Sequence, residues 1–195
     1  PWDGEDEIPG KAADGAKALI DELHSALDPK AYRKAVALLA ESEFIDIFGV
    51  ENSLTPAMDL FTKLGYLGLT CRLNTDAYLQ QIGAGHLPHG AVAVAFSHSG
   101  SSADTVKALR LAKSHGAKTI AITNAIGAPL ASWADVTLLT GRDSHTIYGN
   151  AIFSRVADTA LVDMLYMGVI LSDYGRFSTA LDESGRMIRD RVFEN

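Results

Sequence analysis

A chain of 195 residues, 47% hydrophobic and 21% charged, suits one soluble globular domain with a substantial core. Its net charge of −7 argues against a nucleic-acid surface, because phosphate backbones demand clustered Lys and Arg. No apolar run reaches the ~20 residues of a membrane span, the acidic start PWDGEDEIPG is no secretory signal, and the single Cys71 cannot form an internal disulfide, so a reducing cytoplasm is the expected compartment.

Residues 1–10 carry acids, Pro and Gly and read as a linker or tail ahead of one domain at 11–195. The chain begins without Met, which reads as a piece of something longer. Two helices come first. Ala16, Leu19, Ile20, Leu23 and Leu27 share one face of the first. The second has Asp28 as N-cap and Pro29 at its first position, with Tyr32, Ala35, Val36 and Leu39 in phase. The pattern then alternates. Strands are predicted at 44–50, 69–73, 91–96, 118–123 and 135–140, and helices at 55–67, 75–83, 103–116 and, briefly, 129–134. Cys71 falls in the second strand and is expected to be buried and inert. A long helix is predicted from about Tyr148 to Ser172. It is apolar almost all round, so a second copy of the chain is the expected cover for one of its faces. Central strands that are apolar throughout require a parallel sheet covered on both faces. The expected fold is therefore α/β: a three-layer α-β-α sandwich around a five-stranded parallel sheet, with extra N-terminal helices.

The stretch VAVAFSHSGSSADTVKALRLA (92–112) concentrates the chemistry. A buried strand runs into Ser97, His98, Ser99, Gly100, Ser101 and Ser102, and a helix follows. Ligands of open α/β sheets bind at such carboxyl-end turns. Ser101 and Asp104 fit a capping box, the helix start offers N–H groups and a positive dipole end, and Gly100 would let the backbone approach a ligand closely. Serine hydroxyls donate to phosphate oxygens without bringing charge, so the loop reads as a phosphate cradle that needs no lysine. It is neither a Walker loop nor a dinucleotide fingerprint, and no cofactor is expected.

The loop S-x-S-G-x-[ST], followed by a helix and AKTIAIT (117–123), resembles the SIS (sugar isomerase) domain, a flavodoxin-like fold. FGV-x-NS at 48–53, GAPLASWADVTLLT at 127–140, SRVADTALVDMLYM at 154–167 and the lead-in DPKAYRKAVALLAES at 28–42 resemble, more narrowly, the effector domain of RpiR-type transcription regulators. The resemblance implies a sensor of a phosphorylated sugar and DNA contact only through a helix-turn-helix domain not in this chain; the apolar last helix adds the expectation of a homodimer or tetramer. It carries phosphate contact onto Ser97, Ser99 and Ser102, with Asn52 and Ser53 of the first loop facing them; Ser53 also reads as an N-cap.

Glu51 stands where the family usually has glycine; a carboxylate close to phosphate would repel it, so Glu51 is expected either to point to solvent or to accept from sugar hydroxyls. If the chain were instead an aldose–ketose isomerase, Glu51, His98 and His145 would be its candidate acid–base groups. Thr123 and Asn124, at the end of the fourth strand, are expected to reach the sugar. Asn150 and Arg155 lie near the start of the last helix, Arg155 pairing with ligand or partner or sitting on the surface. His86 and His89 flank Pro88 and read as turn residues, so no metal site is expected.

Overall fold

The computed structural model describes residues 4–142 and 155–189. The chain opens with a 3-10 turn at Glu5–Glu7 that leads directly into α1 (Ile8–Ala26), so the described part of the segment read as linker is exposed but helical. Then come α2 (Pro29–Glu41), β1 (Ile45–Phe48), α3 (Leu54–Tyr66), β2 (Cys71–Leu73), α4 (Ala77–Ala84), β3 (Val92–Phe96), α5 (Ala103–Ser114), β4 (Lys118–Thr123), β5 (Val136–Leu139), α6 (Val156–Ser172) and α7 (Tyr174–Met187). Asp28 caps α2 as expected, its carboxylate accepting from the Lys30 and Ala31 N–H groups. Asp76 caps α4, its carboxylate accepting from the Leu79 N–H. The predicted short helix at 129–134 is a 3-10 turn at Ala131–Trp133.

The sheet has five parallel strands in the order β2-β1-β3-β4-β5, with Ile45 opposite both Cys71 and Val92, Val92 opposite Lys118 and Ile120 opposite Val136. Its two faces differ in bulk. Ile45, Ile47, Val92, Val94, Ile120, Ile122, Val136 and Leu138 pack with α2, α3, α6 and α7. On the other face Ala91, Ala93, Ala95 and Ala121 pack with Ala108, Leu109 and Ala112 of α5. Period-two alternation puts the large residues on one side and the alanines on the other. The alanine face lets α5 lie close over β3.

β1 also holds a buried charge that its apolar pattern did not announce. Asp46 is almost wholly buried and meets Arg72 of β2 in a fork, Nε to Oδ1 at 3.0 Å and Nη2 to Oδ2 at 2.6 Å. Burial raises the Asp46 carboxyl pKa, against the pull of those bonds. On the same edge, burial pushes the Cys71 thiol up to about 12, so it is a poor nucleophile near neutral pH.

α6 begins at Val156; the predicted stretch from Tyr148 to Ser154 lies outside the described residues. Its all-round apolarity is met mostly within the chain, by α1, α2, α3 and the unanticipated α7, so the helix itself does not require a second copy. Phe177 of α7 is fully buried. Where α6 crosses α2, Tyr32 Oη donates to Met164 O at 2.6 Å. A Cβ at Gly168 would collide with Tyr32 Oη and come within 2.7 Å of Val36 Cγ2. Gly168→Val must push the two helices apart and is expected to lower stability by ~1–3 kcal/mol, read from a shifted urea midpoint.

Candidate functional site

The two loops that leave the sheet's central strands end at one cleft. Beyond β1, Val50, Glu51, Asn52 and Ser53 line one side of a cavity of about 440 Å³. Beyond β3, Ser97, His98, Ser99 and Ser102 line the other, and Asp104 and Arg155 complete the wall. From β1 the chain crosses outward to β2, then back past β1 to β3 on its other side. The cleft therefore sits at the switch point of the sheet, outside the carboxyl ends of its strands.

The serine loop is fixed from behind. Ser97 N–H donates to Ile122 O at 3.0 Å, Gly100 N–H to Ser97 O at 2.9 Å, Asn124 N–H to His98 O at 3.0 Å and Leu130 N–H to Gly100 O at 2.9 Å. Thr123 is fully buried; its Oγ1 donates to His98 O at 3.1 Å and accepts from Ala125 N–H at 3.2 Å. Thr123 and Asn124 thus hold the loop rather than line the cleft, against the sequence expectation. Asn124 turns its amide to the far side. Its Oδ1 and Glu22 Oε2 of α1 are buried without hydrogen-bond partners among the described residues, both against Gly141.

Gly100 has φ of 61° and is buried. A Cβ there would run into Ala128 and stand 2.8 Å from Thr123 Oγ1. Glycine is required for packing against the neighbouring loop, and Gly100 does not line the cleft. Ser101 is exposed and outside it as well. The expected capping box does not form, because α5 starts one residue later, at Ala103 with Ser102 at the cap. Ser101 Oγ donates to Ser99 O at 3.2 Å, and Asp104 accepts from Gln81 Nε2 at 3.1 Å. Ser102 Oγ accepts from Thr105 Oγ1 at 3.3 Å and makes no capping bond, so the positive end of α5 opens on the cleft. Ser53 stands at the cap of α3, also without a side-chain capping bond.

Glu51 is the sole described non-glycine residue with positive φ, at 51°. The backbone keeps the left-handed form natural to the glycine that its position resembles, and the carboxylate is carried on it at the exposed rim.

Arg155 is no surface residue. Its side chain is 12% exposed, and Nε and Nη1 are buried with no hydrogen-bond partner among the described residues; Nε lies 3.9 Å from Asp158 Oδ2. Burial raises the Asp158 pKa, while a hydrogen bond from Thr140 and the Arg155 charge pull it down. The cue in the sequence was an Arg and an Asp three apart at the head of a mostly apolar helix, where neither has an easy path to water. His145 and Asn150 lie outside the described residues. His86 places Nδ1 2.9 Å from Ile82 O. Among the described residues no group of three or more His, Cys, Asp or Glu could hold a metal, and no helix is long and apolar enough to cross a membrane.

Fold and cleft together define an open α/β domain with a polar cleft at its switch point. Residues 38–168 match the SIS domain, and the chain belongs to that family. It is 30% identical over 185 residues to an HTH-type transcriptional regulator of Caldanaerobacter subterraneus subsp. tengcongensis, covering 95% of this chain and 66% of that one. It is 28% identical over 192 residues to the HTH-type transcriptional regulator HexR of Escherichia coli, covering 98% and 66%. The chain thus spans about two thirds of the length of these relatives, or slightly less. Among solved structures, the Vibrio vulnificus NanR protein complexed with ManNAc-6P superposes with a TM-score of 0.89 at 24% identity, over 96% of this chain and 70% of that one. The sugar isomerase domain of the RpiR transcription factor from Sphaerobacter thermophilus gives 0.83 at 22%, over 92% and 99%.

Glu51→Gly is expected to relieve the left-handed backbone and raise stability by about 0.5–1 kcal/mol. Glu51→Ala, which removes the carboxylate but keeps the Cβ, should bring no such gain. Urea titration of the three proteins separates the backbone effect from the charge effect.

Proposed function

We propose that this chain is the effector-binding domain of a cytoplasmic transcription regulator of carbohydrate metabolism, and that it senses a phosphorylated sugar. The observation that carries the reading is the cleft: three serines from one loop, Ser53 from the other, and the open N-terminus of α5 converge on a space of about 440 Å³. Hydroxyls and helix N–H groups suit phosphate oxygens. The relatives named as HTH-type regulators and the NanR complex with ManNAc-6P support it. Contact with DNA would belong to a helix-turn-helix domain of the longer protein.

The test is thermal unfolding with a panel of hexose and pentose phosphates. A ligand at 100 times its Kd should add ~2.7 kcal/mol to stability, and Ser99→Ala combined with Ser102→Ala should remove most of that gain. If the doubly substituted protein is stabilised as much as wild type, the serine loop is not the binding site. The isomerase alternative rests on Glu51 and His98 lining the same cleft. It predicts deuterium incorporation from D2O into a bound aldose or ketose phosphate, and the sensor reading predicts none.

The same reading includes a homodimer. A shallow, mostly apolar groove of about 440 Å³ runs between the N-terminal helices and α6, lined by Leu27, Tyr32, Met164, Met167, Gly168 and Leu171, with Asp163 at its side. Met167 and Leu171 are 52% and 68% exposed, the kind of surface a partner covers. Sedimentation equilibrium at micromolar concentration should give a dimer, and Met167→Lys with Leu171→Lys a monomer. Identical masses for both proteins would remove this groove as the interface.

A further inference from the structure

We infer that Arg155 is the charge that makes the cleft select an anion, so that its guanidinium, more than the serine hydroxyls, sets the preference for phosphorylated over neutral sugars. The inference rests on the sugar-phosphate reading of the cleft and deepens it. Of the described residues lining the cavity, Glu51 and Asp104 are acidic, Arg155 is the one lysine or arginine, His98 adds an imidazole, and the serines are neutral. Without Arg155 the fixed charges among these described residues would be the two carboxylates. The half charge at the N-terminus of α5 would not offset two carboxylates, and a phosphate dianion would be repelled.

Among the described residues, the Arg155 cation is only partly paired. A structural ion pair would lock guanidinium and carboxylate in a fork, as Arg72 and Asp46 do with bonds of 3.0 and 2.6 Å in this same molecule. Arg155 Nε instead stands 3.9 Å from Asp158, beyond hydrogen-bond reach, and Thr140 bonds the Asp158 carboxylate. Nε and Nη1 are buried with nothing to donate to among the described residues, a state that costs free energy until an acceptor arrives. The residue also sits at the N-cap of the 17-residue α6, where the helix end is itself positive. A cation there is unfavourable unless something negative faces it. Asp158 answers part of that charge, and a phosphate in the cleft would answer the rest, with a modest turn of the long side chain bringing the planar fork onto its oxygens.

The experiment measures binding to the whole chain by calorimetry, using inorganic phosphate, hexose 6-phosphates, pentose 5-phosphates and the same sugars without phosphate. Arg155→Gln is expected to weaken phosphorylated ligands roughly 10- to 100-fold. Its binding of neutral sugars, however weak, should stay within about threefold of wild type, so selectivity collapses. Arg155→Lys, which keeps the charge and loses the fork, should fall between. A merely structural role would weaken both ligand classes alike or neither, and either result in a folded Arg155→Gln protein overturns the inference. A wild-type chain that binds no phosphorylated sugar sinks the reading of the cleft itself. Should Arg155→Gln fail to fold, the wild-type chain decides. With 15N-arginine labelling and assignment through the backbone, the Arg155 Nε–H signal must move on titration with inorganic phosphate or a bound sugar phosphate. A signal unmoved at saturation overturns the inference.

Discussion

The cleft depends on where the serine loop's backbone hydrogen bonds go. A turn rich in serine could satisfy its main chain with its own hydroxyls, which would leave nothing for a ligand. Here the amides and carbonyls of Ser97 and Gly100 and the His98 carbonyl are engaged with one another and with the strand and loop behind them, at Ile122, Thr123, Asn124 and Leu130, while Ser99 and Ser101 bond each other through their hydroxyls. Gly100 makes that close seating possible, because any Cβ would strike Ala128. Ser97, His98 and Ser99 are thereby presented to the cleft from a fixed backbone. Preorganisation of this kind lowers the ordering cost of binding a small polar ligand.

That arrangement in turn requires a sheet with unequal faces. Small side chains at Ala91, Ala93, Ala95 and Ala121 let α5 lie close over β3, which brings the helix start to the strand end through a short loop. The bulky face carries the heavier load. Val and Ile side chains there meet α2, α3, α6 and α7 and form the larger core. Moving the alanines to the bulky face would need a slip of one residue in register, which would exchange every inward and outward residue of a strand at once. The alternation in VAVAF therefore fixes both the core and the mouth of the cleft.

Periodicity made the sheet, its parallel sense and the position of the serine loop legible, since each depends on a local pattern: apolar strands, long crossovers, a polar break before a helix. The partners of individual polar residues were less legible. Thr123 and Asn124 were placed on the correct edge of the sheet, yet a strand end has two sides, and only packing decides which side a hydroxyl faces. The capping box at Ser101 failed by a one-residue shift of the helix start, within the ordinary slack of a helix boundary. Arg155 was seen but not resolved, because its burial depends on how α6 meets a cleft formed far away in sequence. α7 went unread, since half its surface is polar and Phe177 is its one buried residue.

α6 ties these pieces together mechanically. Its 17 residues span about 25 Å. One end carries Arg155 in the wall of the cleft; the other carries Gly168 and Leu171 against α2 and the apolar groove. Between them Leu161, Val162, Leu165 and Val169 are fully buried, and Gly168 leaves no slack against Tyr32 and Val36. A close-packed interior does not absorb displacement gradually. A displacement of the Arg155 end would have to be carried by the helix as a unit, and Tyr32 Oη on Met164 O is where it would meet α2. Occupancy of the cleft changes the position of the N-terminal helices only to the extent that the ligand binds one setting of α6 better than another. A guanidinium at the helix head whose Nε and Nη1 have no hydrogen-bond partner among the described residues is the kind of group through which that difference in affinity can arise.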